Sequence, residues 1–173
     1  MSNINLYNYI DSIKDFPKKG ILFRDISPLL QDYNALSELR TLFYNESVKY
    51  KVDYVAGLDA RGFLFSSLLS QDLKVGSIMI RKSNKLPGNL YSRDYELEYG
   101  LSSLSIQKSR DIKGKNIILI DDLLATGGTL KCAENLINDN GGQVVISIVA
   151  IELLSLKGRN KIFSKLFSVL QYD

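Results

Sequence analysis

Histidine is absent from the 173 residues, and cysteine occurs once, as Cys132. The first absence excludes His-based catalytic triads, His-ligated metals and imidazole proton shuttles. The second excludes an intrachain disulfide or a Cys-cluster zinc site. No apolar run approaches the ~18 residues of a membrane span. The opening stretch MSNINLYNYIDSIKDF lacks a charged start followed by an apolar core, so no secretory leader is expected. Neither sign of charge dominates, with 22 Lys and Arg against 19 Asp and Glu for a net charge of +3. A duplex-DNA binder would carry a denser basic face. Neither nucleic acid nor membrane is therefore expected as a partner, whereas a small anion such as a phosphate ester suits the charge. Acid–base chemistry falls to carboxylates, Lys, Tyr or the substrate, in a reducing, cytoplasmic setting.

What is present is ordinary for a globular protein: 45% hydrophobic and 24% charged residues. The length suits one domain over 1–173, at ~100–200 residues per domain. Apolar positions Ile4, Leu6, Tyr9, Ile10 and Ile13 lie near helical spacing and predict an amphipathic helix. Phe16-Pro17-Lys18-Lys19-Gly20 breaks it. A second helix is expected over 36–50. From residue 53 the pattern changes to strand–helix alternation. Strands are predicted at 54–58, 75–80, 116–120, 144–151 and 166–170, with helices at 62–70 and 130–140. Residues 82–94 read as a long polar loop, and 95–99 and 101–106 as extended. The run Asn116-Ile117-Ile118-Leu119-Ile120 has the continuous apolar character of a strand covered on both faces. The expected fold is α/β, a central, mostly parallel sheet flanked by helices. Ligands in such folds bind beyond the carboxyl ends of the strands. Those ends are charged here: Asp59-Ala60-Arg61, Arg81-Lys82 and Asp121-Asp122.

The segment from Ile117 to Thr129 is the most informative. An apolar strand delivers Asp121 and Asp122, then a loop of small residues, then a helix. Ala125, Thr126, Gly127, Gly128 and Thr129 can turn several backbone N–H groups toward one anion, with glycine permitting the unusual dihedrals. The helix N-terminus behind the loop adds the positive end of a dipole. The loop lacks the Gly-Lys-Ser/Thr ending of a nucleoside-triphosphate loop and the spacing of a dinucleotide fingerprint. Paired carboxylates repel phosphate but accept hydrogen bonds from a cis-diol. Together these parts predict a ribose 5-phosphate site. The plainer reading is a helix capped by the acids.

This pattern resembles the phosphoribosyl-diphosphate-binding motif of the type I phosphoribosyltransferases, and more narrowly their adenine-specific members. The resemblance spans nearly the whole chain. It includes Phe23-Arg24-Asp25-Ile26-Ser27-Pro28, Gly57-Leu58-Asp59-Ala60-Arg61-Gly62-Phe63, Ile80-Arg81-Lys82, Lys85-Leu86-Pro87-Gly88, Tyr95-Glu96-Leu97-Glu98-Tyr99-Gly100 and Ile151-Glu152-Leu153. It implies a small N-terminal hood with the base pocket (about 1–35) and a flexible lid loop (about 82–98). It also implies transfer of a 5-phosphoribosyl group from 5-phosphoribosyl 1-diphosphate to N9 of adenine, giving AMP and pyrophosphate. The family implies that Asp59, Ala60 and Arg61 bind pyrophosphate, with a cis Asp59–Ala60 peptide, and that Arg81, Lys82 and Lys85 reach it from the lid. Leu22, Phe23 and Arg24 would form the adenine pocket, and Leu123 would close its other face. Glu98 would serve the adenine N7 proton beside the lid residue Tyr99; strand alternation alone does not choose between Glu96 and Glu98. Mg²⁺ is the implied cofactor, held mainly by substrate and water rather than by protein ligands. A homodimer is implied. Where relatives often carry glycine, this chain has Ser66, which is expected to alter helix packing without abolishing the site.

Two other functions fit the same motif. A 6-oxopurine enzyme needs a donor to the purine oxygen, often Lys, and the base segment offers no clear one. A non-catalytic regulator sensing the sugar diphosphate would carry a DNA-binding domain ahead of the fold, and about fifty residues precede the first sheet strand.

Overall fold

The computed structural model describes residues 4–82, 84–97, 100–109 and 111–173. It divides into two compact units, Met1–Leu42 and Phe43–Asp173.

In the first unit a 3-10 turn, Leu6–Tyr9, is capped by the Asn5 side chain, which accepts from the Tyr7 N–H at 3.2 Å. Strand β1 (Asp11–Lys14) then pairs antiparallel with β2 (Leu22–Asp25), matching Ile13 to Phe23 and Ser12 to Arg24. Among the described residues the helix expected over the first fifteen is therefore absent. A short helix there would gain little by itself, whereas pairing with β2 satisfies the backbone of 11–14. Leu6 and Ile10 are buried while Ile13 is exposed, so the apolar stripe is not used as one face. Helix α1 (Ser27–Gln31) starts with Pro28 in its first turn. Asp25 supports that start by accepting from the Ser27 N–H (3.0 Å) and hydroxyl (2.7 Å). Helix α2 (Tyr33–Ser47), whose residues from Phe43 belong to the second unit, begins earlier than its apolar spacing suggested, because the Asp32 carboxylate caps the Ala35 N–H at 2.8 Å.

The second unit is built on a seven-stranded sheet in the order β5-β6-β4-β3-β7-β8-β9. Its strands are β3 (Tyr54–Leu58), β4 (Gly76–Lys82), β5 (Leu90–Leu97), β6 (Gly100–Gln107), β7 (Asn116–Leu124), β8 (Gln143–Leu153) and β9 (Lys165–Tyr172). β4, β3, β7, β8 and β9 are mutually parallel; β6 runs antiparallel to β4, and β5 to β6. This is the mostly parallel sheet expected. Ile117, Ile118, Leu119 and Ile120 are fully buried, as their unbroken apolar run requires. Helix α3 (Gly62–Leu73) links β3 to β4, and α4 (Gly128–Asp139) links β7 to β8. The two crossovers leave the adjacent strands β3 and β7 in opposite directions, which opens a crevice beyond their carboxyl ends.

Within this sheet the main departures from the sequence reading are in β7 and β5. β7 runs on through Asp121-Asp122 to Leu124, paired with β8 as far as Glu152, so the carboxylates lie within the strand. Residues 90–94 belong to β5, whereas their polarity suggested a loop. Tyr91 and Tyr95 pack against the core, and only the residues between them are polar. Among the described residues no helix is long and apolar enough to cross a membrane.

Candidate active site

The crevice between β3 and β7 is a cleft of about 450 Å³. Three segments line it: Asp59-Ala60-Arg61 after β3, the end of β7 from Asp121, and the loop and first turn of α4 through Leu130. Lys82 and Tyr95 complete the lining.

The Asp59–Ala60 peptide is cis. Arg61 follows it at the start of α3, where its Nη2 pairs with Asp122 Oδ2 at 2.8 Å. Glycine at position 62 permits that approach. A Cβ there would lie 2.8 Å from the Ile120 carbonyl oxygen and 3.1 Å from Asp121 Oδ1. Arg81 projects its Nε toward Asp59 Oδ2 (3.2 Å), donates from Nη1 to the Lys85 carbonyl (3.0 Å), and lies over the Phe63 ring. Arg81 and Asp59 thus tie the β3 and β4 ends together.

The paired carboxylates differ in environment. Asp122 is buried and faces Arg61. Asp121 is half-buried and accepts from the Asp122 N–H at 2.9 Å. Loss of hydration, reinforced by the Asp122 charge, pushes the Asp121 carboxyl well above the usual carboxylate range. A carboxylate there can accept from a ligand hydroxyl.

Gly127 takes a left-handed conformation (φ +80°) as N-cap of α4, with no side chain capping the helix. The first N–H groups of a helix have no partner within it, and here residues 127–130 line the cleft. With the dipole behind them they have the chemistry of an anion cradle. The Thr129 hydroxyl donates to the Tyr95 hydroxyl at 3.4 Å.

Comparison with known proteins bears on what such a cradle serves. The Phosphoribosyl transferase domain family matches residues 26–170. The adenine phosphoribosyltransferase of Mus musculus is 47% identical over 168 residues, covering 95% of this chain and 93% of its own length. The chain belongs to the adenine phosphoribosyltransferase family. Solved structures agree. That of the Thermoanaerobacter pseudethanolicus adenine phosphoribosyltransferase is 40% identical with a TM-score of 0.93, covering 96% of this chain and 98% of that one. The Saccharomyces cerevisiae enzyme, complexed with D-2,5-dideoxy-2,5-imino-altritol 1,6-bisphosphate and adenine, is 36% identical with a TM-score of 0.89 and coverage of 95% and 96%.

Of the residues expected in a phosphoribosyltransferase site, Asp59, Ala60, Arg61, Lys82, Asp121, Asp122, Leu123, Ala125, Thr126, Gly127, Gly128 and Thr129 line one cleft. Arg81 joins them through Asp59, and Lys85 through its carbonyl on Arg81. Leu22, Phe23 and Arg24 lie on β2 in the first unit. There Phe23 meets Phe16 edge-to-face at 5.1 Å, and Arg24 donates from Nη1 to the Ser12 hydroxyl. Glu98 and Tyr99 lie outside the described residues. Sequence reading missed Tyr95 as a cleft residue; its alternation with Tyr91 was the available signal. Ser66 is explained by its surroundings. It is buried beside Gly57, whose missing side chain leaves the space, and it accepts from the Ser77 hydroxyl at 3.2 Å. Cys132 is buried in α4; its thiol donates to the Arg93 carbonyl at 3.4 Å, and burial pushes its pKa up to about 11.

Proposed function

We propose that this chain transfers the 5-phosphoribosyl group of 5-phosphoribosyl 1-diphosphate to N9 of adenine, releasing pyrophosphate and forming AMP. The observation that carries this reading is one cleft that joins a carboxylate pair to an anion cradle, in a chain 47% identical to an adenine phosphoribosyltransferase. The yeast relative's complex with adenine and a bisphosphate supports a base and a phosphorylated sugar as ligands.

Residues 125–129 would hold the 5-phosphate on N–H groups and the Thr126 and Thr129 hydroxyls, and Asp121 and Asp122 would take the ribose hydroxyls. Arg61, with Arg81, Lys82 and Lys85, would gather the charge of the departing pyrophosphate, with Asp59 and Ala60 shaping the turn. Leu22, Phe23 and Arg24 would bind adenine, with Leu123 on its other face. As the C1′–O bond to the diphosphate breaks, its electron pair leaves with pyrophosphate. Positive character grows on the ribose, N9 bonds to C1′, and the base's surplus proton passes toward Glu98. No residue of the chain needs to become a nucleophile.

Mg²⁺ fits this lining. Of the carboxylates there, Asp59 and Asp122 face arginines and Asp121 Oδ1 accepts from the Asp122 N–H, so a cation would draw its oxygens mainly from substrate and water. Bound that way, it would neutralise diphosphate charge. The proposed assembly is a homodimer. The buried free thiol suits a reducing, cytoplasmic setting.

The test is a steady-state assay with Mg²⁺, the sugar diphosphate and each purine base in turn. AMP should form from adenine alone, and Glu98→Ala should lower kcat by ~100-fold or more. Sugar-diphosphate binding without turnover of any base would favour a regulator, and turnover of hypoxanthine would overturn the adenine assignment.

A further inference from the structure

We propose that the turn at Lys157–Arg159, clamped by Glu152, is a positioning device that braces the 125–127 loop from behind and so sets its affinity for a 5-phosphate. The inference rests on reading that loop as the 5-phosphate cradle.

Gly127 and Gly158 meet backbone to backbone. A Cβ on Gly127 would lie 2.6 Å from the Gly158 carbonyl oxygen and 3.1 Å from its Cα. A Cβ on Gly158 would collide with the Ala125 carbonyl oxygen and lie 3.0 Å from the Gly127 nitrogen. Neither position can carry a side chain while the loop stays where it is. The contact therefore fixes how far the cradle can retreat from its ligand.

The turn is itself held in place. Arg159 forks onto Glu152, Nε to Oε1 at 2.9 Å and Nη2 to Oε2 at 2.5 Å. Its Nη1 donates to the Leu166 carbonyl at 2.9 Å. The Glu152 side chain is only 3% exposed, and the Ser168 hydroxyl also donates to it at 2.7 Å. Glu152 stands opposite Leu124 in the β7–β8 register, so the clamp is anchored beside the strand that feeds the cradle. A second tie runs from α4, the helix that the cradle caps. Glu134 is fully buried and accepts from the Phe163 and Ser164 N–H groups at 2.9 and 3.0 Å. The stretch behind the cradle is thus fastened at both ends by buried carboxylates. N–H groups aimed at an anion gain most when they cannot relax away from it.

The test compares ribose 5-phosphate with pyrophosphate as calorimetric probes, in buffer containing Mg²⁺. Gly158→Ala should weaken ribose 5-phosphate binding by ~10-fold or more, and Arg159→Met should act in the same direction. Pyrophosphate should stay within ~2-fold of wild type, because Asp59–Arg61 and Arg81 are not braced by this turn. Arg159→Lys should restore part of the loss. Far-ultraviolet circular dichroism checks that each variant is folded; should Gly158→Ala not fold, Arg159→Met carries the test. Equal weakening of both probes, or of neither, would overturn the proposal. Failure of the wild-type protein to bind ribose 5-phosphate would instead overturn the cradle reading beneath it.

Discussion

In front of the 125–129 loop, Asp121 sits beside Asp122, and burial with that neighbouring charge raises its pKa. Behind the loop, Glu152 is also enclosed, and burial alone would raise it. Hydrogen bonds from Arg159, Ser168 and Gln171, with the Arg159 charge, outweigh that effect and hold its pKa below the usual range. The same side-chain chemistry is disfavoured by burial and a like charge on the cleft side and satisfied by donors on the supporting side. A carboxyl enclosed beside a like charge costs folding energy, whereas one met by donors and a guanidinium stabilises the fold. The cleft is thus the region where stability is given up, and the turn behind it the region where stability is kept.

The largest effect should come from breaking the contact that joins the two regions. Gly127→Val forces a β-branched residue into the left-handed region and toward the Gly158 carbonyl. Its kcat/KM should fall ~100-fold or more while the fold persists by circular dichroism. Retained activity would mean that the loop is not held from behind.

Glu152→Gln comes next. Arg159 is 43% exposed, so solvent screens the pair, and the loss should be about 1–2 kcal/mol, or roughly 3–6 °C in Tm. A depressed folded-state pKa contributes stability that is complete above the ordinary value of 4.5 and is lost as pH falls through the folded-state value. Calorimetry should therefore show the gap between wild type and variant closing in acid.

Asp121→Asn should behave in the opposite sense. Its folded-state pKa is raised, so the wild type is most favoured below the ordinary value of 3.8 and loses stability as pH rises from there to the folded-state value. The variant should therefore melt above wild type near neutral pH, with the difference vanishing in strong acid. A variant that melts lower at pH 7 would remove the contrast between the two sides of the loop.

The smallest effect is expected away from both regions. Ser66→Gly removes the hydroxyl that accepts from Ser77 and adds backbone freedom to α3. A loss of about 1 kcal/mol with activity near wild type is expected from a thermal melt and a standard assay.

Much of the front of the site could be read directly from the chain, because it is local. The apolar run 116–120, two acids, a small-residue loop and a helix are consecutive, and each step has its own physical signature. The charged ends of β3 and β4 were legible for the same reason. β1, β2 and the start of β5 were not. Their residues are polar or irregularly spaced, and pairing partners rather than intrinsic pattern made them strands. Ile151-Glu152-Leu153 could be quoted as part of a familiar pattern, yet nothing near it announced what the glutamate holds.

The amino-acid order alone determined the sheet-and-helix alternation, the cradle and its carboxylates, since these depend on neighbours within a few residues. Only tertiary structure decided that Gly158 lies against Gly127, that Glu152 and Glu134 fasten the turn behind the cradle, and that Tyr95 reaches the cleft. Such contacts join distant segments, and their energies come from close packing and satisfied buried charge, which no local pattern encodes.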